Sequence, residues 1–491
     1  MEKKSPGCPR CKQLEQELQR TRLELERTRR QLEQTRRELE ELRKQVRELK
    51  ALLKMNSSNS SMPPSRDPPS APPRKTKPPS RRFRGAQPGH GKTARELVPI
   101  KDVNEVVTLK PESCRVCGGR MRGVDPHPRR HQVFEIPEVK PHITEYQCHM
   151  LECSRCGNRT QAALPESVSQ KNFGPRLMAA IALLSGRFHL SKRKIKEFLK
   201  DYFNMEISLG SISACEQNVS EALANPVEEA RRYLESQPVA NVDETGWRQN
   251  KGKAWLWTAS TTLVAVFMIH VSRGSQAFTD LMGSFRGILN SDRWGVYKNW
   301  KKNLHQICWA HLERNFKQFL EFSDQSAIIG HILIENIRTM FNWWYKVRDG
   351  TLSRRTFQQY MRPLKKRIRV LLEQGCSCPD RKIRNTCREV LELWPALWTF
   401  VRVDGVEPTN NAAERDLRTA VLWRKNSFGT DSVKGSRFVE RILTVTVTLR
   451  KQGRNLLDFV TKACQAKLQN DSPPSLLPAG ASIMSSSKMI A

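Results

Sequence analysis

The sequence predicts a multidomain α+β protein, and three features of its patterning carry that reading. A proline-free heptad run opens the chain, short apolar or alternating runs follow Pro238, and helical spacing dominates both before that stretch and after Trp309. The 491 residues leave room for several domains and an enzyme-sized core. Lys and Arg number 84 against 50 Asp and Glu, a formal charge of +34, which points to polyanionic partners and above all to nucleic acid. No run of about eighteen apolar residues exists and MEKKSPGCPRCKQ lacks an apolar signal core, so a soluble cytoplasmic protein with no membrane partner is expected. The 13 cysteines, an odd number with CxxC pairs at ligand spacing, suit metal binding in a reducing compartment better than a disulfide framework.

Residues 13–54 read as a coiled coil. Leu18, Leu25, Leu32, Leu39, Val46 and Leu53 form one seam, and Leu14, Thr21, Thr28, Thr35, Leu42 and Leu49 the other. With the first seam at position a, position g reads Glu17, Glu24, Gln31, Glu38, Gln45 and the following e reads Arg22, Arg29, Arg36, Arg43, Lys50. Each g residue then faces a cation across a parallel partner, so a homo-oligomer is expected. A lone solvated charged helix is the alternative, favoured by the threonines in one seam. Cys8 and Cys11 read as free thiols, or as half of a metal site completed by the partner.

Residues 55–97, rich in Pro, Ser, Arg and Lys, cannot build a core and read as a disordered basic linker. Residues 98–165 hold Cys114-Arg-Val-Cys117 and Cys153-Ser-Arg-Cys156, each followed by glycine, the signature of a four-thiolate Zn²⁺ site in a zinc ribbon. The stretch HQVFEIPEVKPHITEYQCHM between the pairs reads as two strands. Residues 170–236 are helical around a tight turn, which fits a helix-turn-helix or a bundle supporting the next domain; Arg193 and Lys194 tilt the reading towards DNA.

Residues 237–430 read as a mixed sheet of three meandering strands, a helix and further strands joined by crossover helices, with a helical insertion over about 320–400. Residues 431–469 read as C-terminal helices and 470–491 as a disordered tail.

The chemistry gathers around three acids. Glu414 lies on a helix in the basic, asparagine-rich stretch PTNNAAERDLRTAVLWRKNSFGTD, and Asp243 and Asp292 each follow a short apolar run. Two strand-end aspartates with a helical glutamate make a three-carboxylate site for divalent metal, the arrangement that two-metal phosphoryl transfer requires. Glu244 falls on the opposite face of its strand from Asp243, which leaves Asp243 for the site. Asn410 and Asn411 stand where they would cap the glutamate helix or touch DNA. Arg415, Arg418, Arg424 and Lys425 read as phosphate contacts, and His311 and Arg314 as groups that support the site, grip DNA or fill a core.

PTNNAAERDLRTAVLWRKNSFG, taken with VDETGW, SDRWGVY and CWAHLERNF, closely resembles the transposases of the bacterial insertion-sequence 66 family. The likeness runs from Leu14 to about Leu468 and includes the coiled coil, the paired CxxC and the closing RILTVTVTLRKQGRNLLDFV. It implies an RNase H-like catalytic core with Asp243, Asp292 and Glu414 as a DDE triad. It further implies two Mg²⁺ or Mn²⁺ ions, Asp243 bridging them while Asp292 and Glu414 each bind one. The implied activity is cleavage of element ends in double-stranded DNA and strand transfer into a target, in a bacterial, nucleoid-associated protein; accessory transposition proteins often assist members of the family. A non-cutting DNA-binding regulator, a domesticated relative and a nuclease unable to join strands are the competing readings.

Overall fold

The computed structural model describes residues 9–53, 96–165, 168, 172–322 and 325–480. Most of the expected linker, Cys8 and the Cys11 side chain lie outside the described residues. Among the described residues no helix is long and apolar enough to cross a membrane.

The heptad run forms one helix, α1 (Pro9–Leu53). Its first seam stands open, with Leu18, Leu25, Leu32, Leu39 and Val46 between 44% and 70% exposed. The threonines of the second seam leave no unsatisfied hydroxyl. Thr21, Thr28 and Thr35 each donate at 2.9 Å to the carbonyl four residues back on their own helix.

In the cysteine module each pair forms a tight turn, closed by the Gly118 N–H on the Cys114 carbonyl at 2.9 Å and by the Gly157 N–H on the Cys153 carbonyl at 2.8 Å. The strands differ from expectation. Instead of two between the pairs, β1 (Met150–Glu152) and β2 (Arg159–Gln161) flank the second turn as an antiparallel hairpin, and residues 131–149 carry no ladder. The physical reason is that this module buries none of its apolar side chains, so nothing holds longer strands together.

Four helices follow: α2 (Pro175–Gly186), α3 (Lys192–Phe203), α4 (Leu209–Ala222) and α5 (Ala224–Glu235). Ser191 and Ser208 cap α3 and α4 by accepting the N–H of Lys194 and Ser211, and Asn204 ends α3 in the left-handed region at φ 49°. The second helix of this pair does not project into solvent. Ile212, Cys215 and Val219 of α4 are buried, and α4 packs on α2 and on two later helices, α13 (Val433–Lys451) and α14 (Leu456–Gln469). Between the two alternatives of groove-entering motif and supporting bundle, the packing of α4 is that of a bundle.

The sheet has the order β5-β4-β3-β6-β7, built from β3 (Val239–Gln249), β4 (Gly252–Ser260), β5 (Ala265–His270), β6 (Ile288–Ser291) and β7 (His305–Ile307). β3, β4 and β5 form an antiparallel meander, and β6 and β7 run parallel to β3. The β3–β4 turn places Asn250 and Lys251 at φ 49° and 61°, a two-residue hairpin turn whose twist matches the strands. Helix α6 (Ser275–Met282) joins β5 to β6, whereas two 3₁₀ turns, Gly295–Asn299 and Lys302–Leu304, replace the crossover helix expected between β6 and β7.

One apolar core unites α2–α5, the meander, helix α12 (Asn411–Ser427), α13 and α14. The stretches expected as separate helical and C-terminal units, 170–236 and 431–469, therefore share their core with the sheet. Gly186 of α2 shows how tightly: a Cβ there would lie 2.6 Å from Ile442 of α13. The expected tail also differs, since Leu476 and Leu477 are buried and Arg454 and Gln452 hold the Leu476 carbonyl at 3.1 and 3.0 Å.

A second core belongs to the insertion, with α7 (Trp309–Phe319), α8 (Gln325–Arg348), α9 (Arg354–Gly375), α10 (Arg381–Glu392) and α11 (Thr399–Arg402) packed around Phe316, Leu333, Ile337, Phe357 and Phe400.

β5 is an edge strand, and α13 closes that edge with side chains. Thr448, Thr444 and Glu440, at helical spacing of four, accept the backbone N–H of Ala265, Phe267 and Ile269 at 3.1, 3.0 and 2.7 Å. Covering an edge in this way prevents pairing with another chain. Thr444→Val leaves the Phe267 N–H buried without an acceptor and is expected to destabilise by about 1–3 kcal/mol, while Thr444→Ser is expected to stay near the parent. Thermal melting of both variants checks this; equal melting of Val and Ser would remove the edge-closing role.

Candidate active site

Asp243 lies on β3 and Asp292 one residue past the end of β6. Asn241 pairs with Asn290 in the parallel register, so two residues further along both strands deliver an aspartate to neighbouring positions. Side-chain amides then carry the third element across these strand ends. Asn290 donates to the carbonyls of Glu407 and Thr409 at 2.9 and 3.0 Å, and the Trp309 N–H donates to the Pro408 carbonyl at 2.9 Å. Asn410 donates from its side chain to the Val242 carbonyl at 2.7 Å and from its backbone to Cys308 Sγ at 3.3 Å. Asn410 thus occupies the N-cap of α12 without capping it; its amide binds the helix to β3 next to Asp243. One turn later comes Glu414.

The far end of α12 is pinned as well. The Arg424 guanidinium donates to Thr245 Oγ1 at 3.0 Å and to the Gly246 carbonyl. Its place in the fold differs from the phosphate contact expected from sequence. Arg415, Arg418 and Lys425 lie exposed on α12, and Arg193 and Lys194 lie exposed at the start of α3. Between the pins, Asp416 meets Lys451 at 2.8 Å and Ser260 at 2.7 Å, tying α12 to α13 and β4.

Glu244 turns the other way. It accepts Arg273 Nη2 and Nε at 2.7 and 2.9 Å and the Tyr297 hydroxyl at 2.6 Å, whereas Thr245 shares the α12 face with Asp243. Asp292 Oδ1 accepts the Trp294 N–H at 2.8 Å, and Arg293 beside it is paired with Glu389 of α10, linking the insertion to the site.

The electrostatics are those of crowded, buried carboxylates. Burial pushes the Asp243 carboxyl well above its ordinary value, and Glu244, Asp292 and Glu414 raise it further. Burial, then the charge of Glu244, raises Asp292 to about 6 against the pull of the Trp294 N–H. All three acids therefore share one electrostatic neighbourhood. Their oxygens are not gathered within 4.8 Å; the one such group among the described residues is Cys308, His311 and Glu414. His311 Nδ1 lies 3.5 Å and Arg314 Nη2 3.6 Å from Glu414 Oε1. Neither His311 Nδ1 nor Glu414 Oε1 has a hydrogen-bond partner although both are buried, and burial lowers His311 to about 3 and raises Cys308 to about 11. Unpartnered acceptors beside crowded carboxylates fit a cation. Cys308 escaped the sequence reading; its spacing of three before His311, at the start of α7, was the available signal.

A profile of the Transposase IS66 family matches residues 170–437. The chain belongs to that family. Asp243, Asp292, Glu414 and the whole insertion fall inside the span matched to the IS66 family, while the cysteine module precedes it. Residues 9–96 match a second family, of unknown function. An uncharacterized protein, y4qI of Sinorhizobium fredii (strain NBRC 101917 / NGR234), is 24% identical to this IS66 family chain over 237 residues. The match covers 43% of each chain, so the family member spans less than half the length of that relative.

The raised Asp292 carboxyl carries a signed prediction. Between its unfolded value near 3.8 and its native value of about 6, the folded chain holds a proton that the unfolded chain has released. Stability contributed by this group therefore falls as pH rises through that window and stays low above it. In chelator at about pH 7, Asp292→Asn is expected to melt above the parent, by at most about 3 kcal/mol, and the gap is expected to shrink near pH 4. Calorimetry of both proteins checks it, and a variant that melts lower at the higher pH would contradict the burial argument.

Proposed function

We propose that the chain is a DNA transposase of the DDE type, cutting the ends of its element and joining them to target DNA. The observation that carries this reading is that Asp292, just past β6, and Glu414, on α12, both come close enough to Asp243 on β3 to raise its carboxyl. A sheet with three antiparallel strands followed by two parallel ones supports an RNase H-like core. Asp243, Asp292 and Glu414 would together hold two Mg²⁺ or Mn²⁺ ions. Two ions do not require all three carboxylates within reach of a single one. When bound, such ions activate a water or a DNA 3′-hydroxyl and stabilise the leaving oxygen.

The chain's own residues do the rest. Asn290 and Asn410 hold the strand ends and the glutamate helix in fixed relation. Arg415, Arg418 and Lys425 face solvent on α12 and Arg193 and Lys194 on α3, where they would contact phosphates of double-stranded DNA. A chain of charge +34 would do so close to the nucleoid of a bacterial cytoplasm. Accessory transposition proteins fit the same reading.

Two modules extend it. In the cysteine module the N–H groups of Val116 and Cys117 bond the Cys114 sulfur and those of Arg155 and Cys156 the Cys153 sulfur, holding both thiols below their ordinary value. Each half thus fits Zn²⁺. The four sulfurs of Cys114, Cys117, Cys153 and Cys156 are not within 4.8 Å of one another, and uniting them is what the ion would add. On α1, parallel pairing of two copies brings each g residue to an opposite e cation, whereas antiparallel pairing would set arginines against arginines. One zinc per chain, lost in Cys153→Ser, and a dimer in sedimentation, lost in Leu25→Asp, are the expected results. A zinc-free parent would refute the first module and a monomeric parent the second.

The central test is cleavage and joining of labelled DNA carrying the element's ends, in Mg²⁺ or Mn²⁺, for the parent and Glu414→Gln. The variant is expected to bind DNA and lose cleavage by several orders of magnitude. Unchanged activity would remove Glu414 from the site; inactivity of both proteins with accessory proteins supplied would favour a non-cutting DNA binder.

A further inference from the structure

The chain has 11 tryptophans, all within the described residues. Ten are buried or partly buried. Trp294 alone among them is exposed, at 40%. Leaving an indole in water forgoes one of the larger hydrophobic gains available to a side chain, so its position needs a reason.

That position is built, and it is rigid. The Arg273 guanidinium lies 4.0 Å from the Trp294 ring centroid and 4.7 Å from that of Trp255, so it stacks with both indoles. Arg273 cannot drift, because buried Glu244 grips it through two nitrogens and is itself held by Tyr297. The Trp294 backbone N–H donates to Asp292 Oδ1 at 2.8 Å, which fixes the residue's backbone beside the acid. The outcome is a flat, solvent-accessible aromatic surface, backed by a cation, two residues from a buried carboxylate.

We infer that Trp294 is the stacking platform for a single unpaired nucleobase flanking the phosphodiester that enters the acidic site. This rests on the DNA-transposase reading and deepens it. Asp243 and Asp292 are partly buried at the strand ends, and a strand that bends to set a phosphate against them can unstack a base there. An opened base loses its neighbours' stacking, and an aromatic side chain replaces it with no demand on sequence, because every base has a π-face. The Glu244–Arg273 pair then acts on the substrate only through the ring it supports, as a positioning pair.

The experiment uses the full chain and two short duplexes of one sequence, each carrying 2-aminopurine, extrahelical in one and fully paired in the other. The parent is expected to prefer the extrahelical form by roughly 5- to 150-fold and to quench its fluorescence. Trp294→Phe keeps a preference. Trp294→Leu, which stays apolar without a π-face, and Trp294→Ala abolish preference and quenching with melting temperature unchanged, while Arg415→Gln weakens binding to both duplexes alike. A parent that binds both duplexes equally, or a Trp294→Leu variant that keeps the parent's ratio, overturns the platform and leaves the DNA reading intact. Failure to bind either duplex overturns both.

Discussion

The hydrogen bond from the Asn410 amide to the Val242 carbonyl, with its counterpart from Asn290 to the carbonyls of Glu407 and Thr409, is the constraint on which the site depends. Asp292 and Glu414 raise the proton affinity of Asp243, and this repulsion works to push apart the elements that bear the acids. Neutral amides solve this without adding charge. Each is buried and each reaches a backbone carbonyl of another element, so the helix start and the strand ends are fixed by groups that do not compete for a cation. Arg424 and the Asp416–Lys451–Ser260 cluster pin the same helix further along, with charged groups engaged by partners of their own.

The insertion makes this stitching necessary. Asp292 and Glu414 are 122 positions apart, and the chain between them folds around a core of its own. A self-sufficient insertion can leave and re-enter the sheet without disturbing it, provided the two ends of the excursion are held together. Trp309 at its start bonds Pro408 near its end, and Arg293 reaches Glu389 within it. The excursion is thereby closed at its root and braced against the residue following the second acid.

Adjacent residues of β3 serve opposite purposes. Asp243 is buried among acids, whereas Glu244, on the other face, is neutralised by Arg273 and bonded by Tyr297. The pleat of the strand separates the two roles, and the charge of Glu244 still reaches through to raise both aspartates. On the far side of the sheet, α13 closes the edge of β5 with Thr444, Thr448 and Glu440, which explains those polar residues in a helix otherwise given to apolar ones.

Much of this is legible in the sequence alone. Heptad spacing located α1, alternating short runs located β3 to β7, and the types and settings of Asp243, Asp292 and Glu414 singled them out, because period and residue chemistry are local properties of a chain. What tertiary structure decided is pairing across distance. It took Arg424 from the solvent face to a backbone brace, Asn410 from a cap to a clamp, and α4 from a projecting helix to the inside of a bundle. It also brought Cys308 and His311 to Glu414 and left Trp294 in water on top of Arg273. None of these has a period or a spacing to read, since each depends on which partner the fold delivers from far along the sequence.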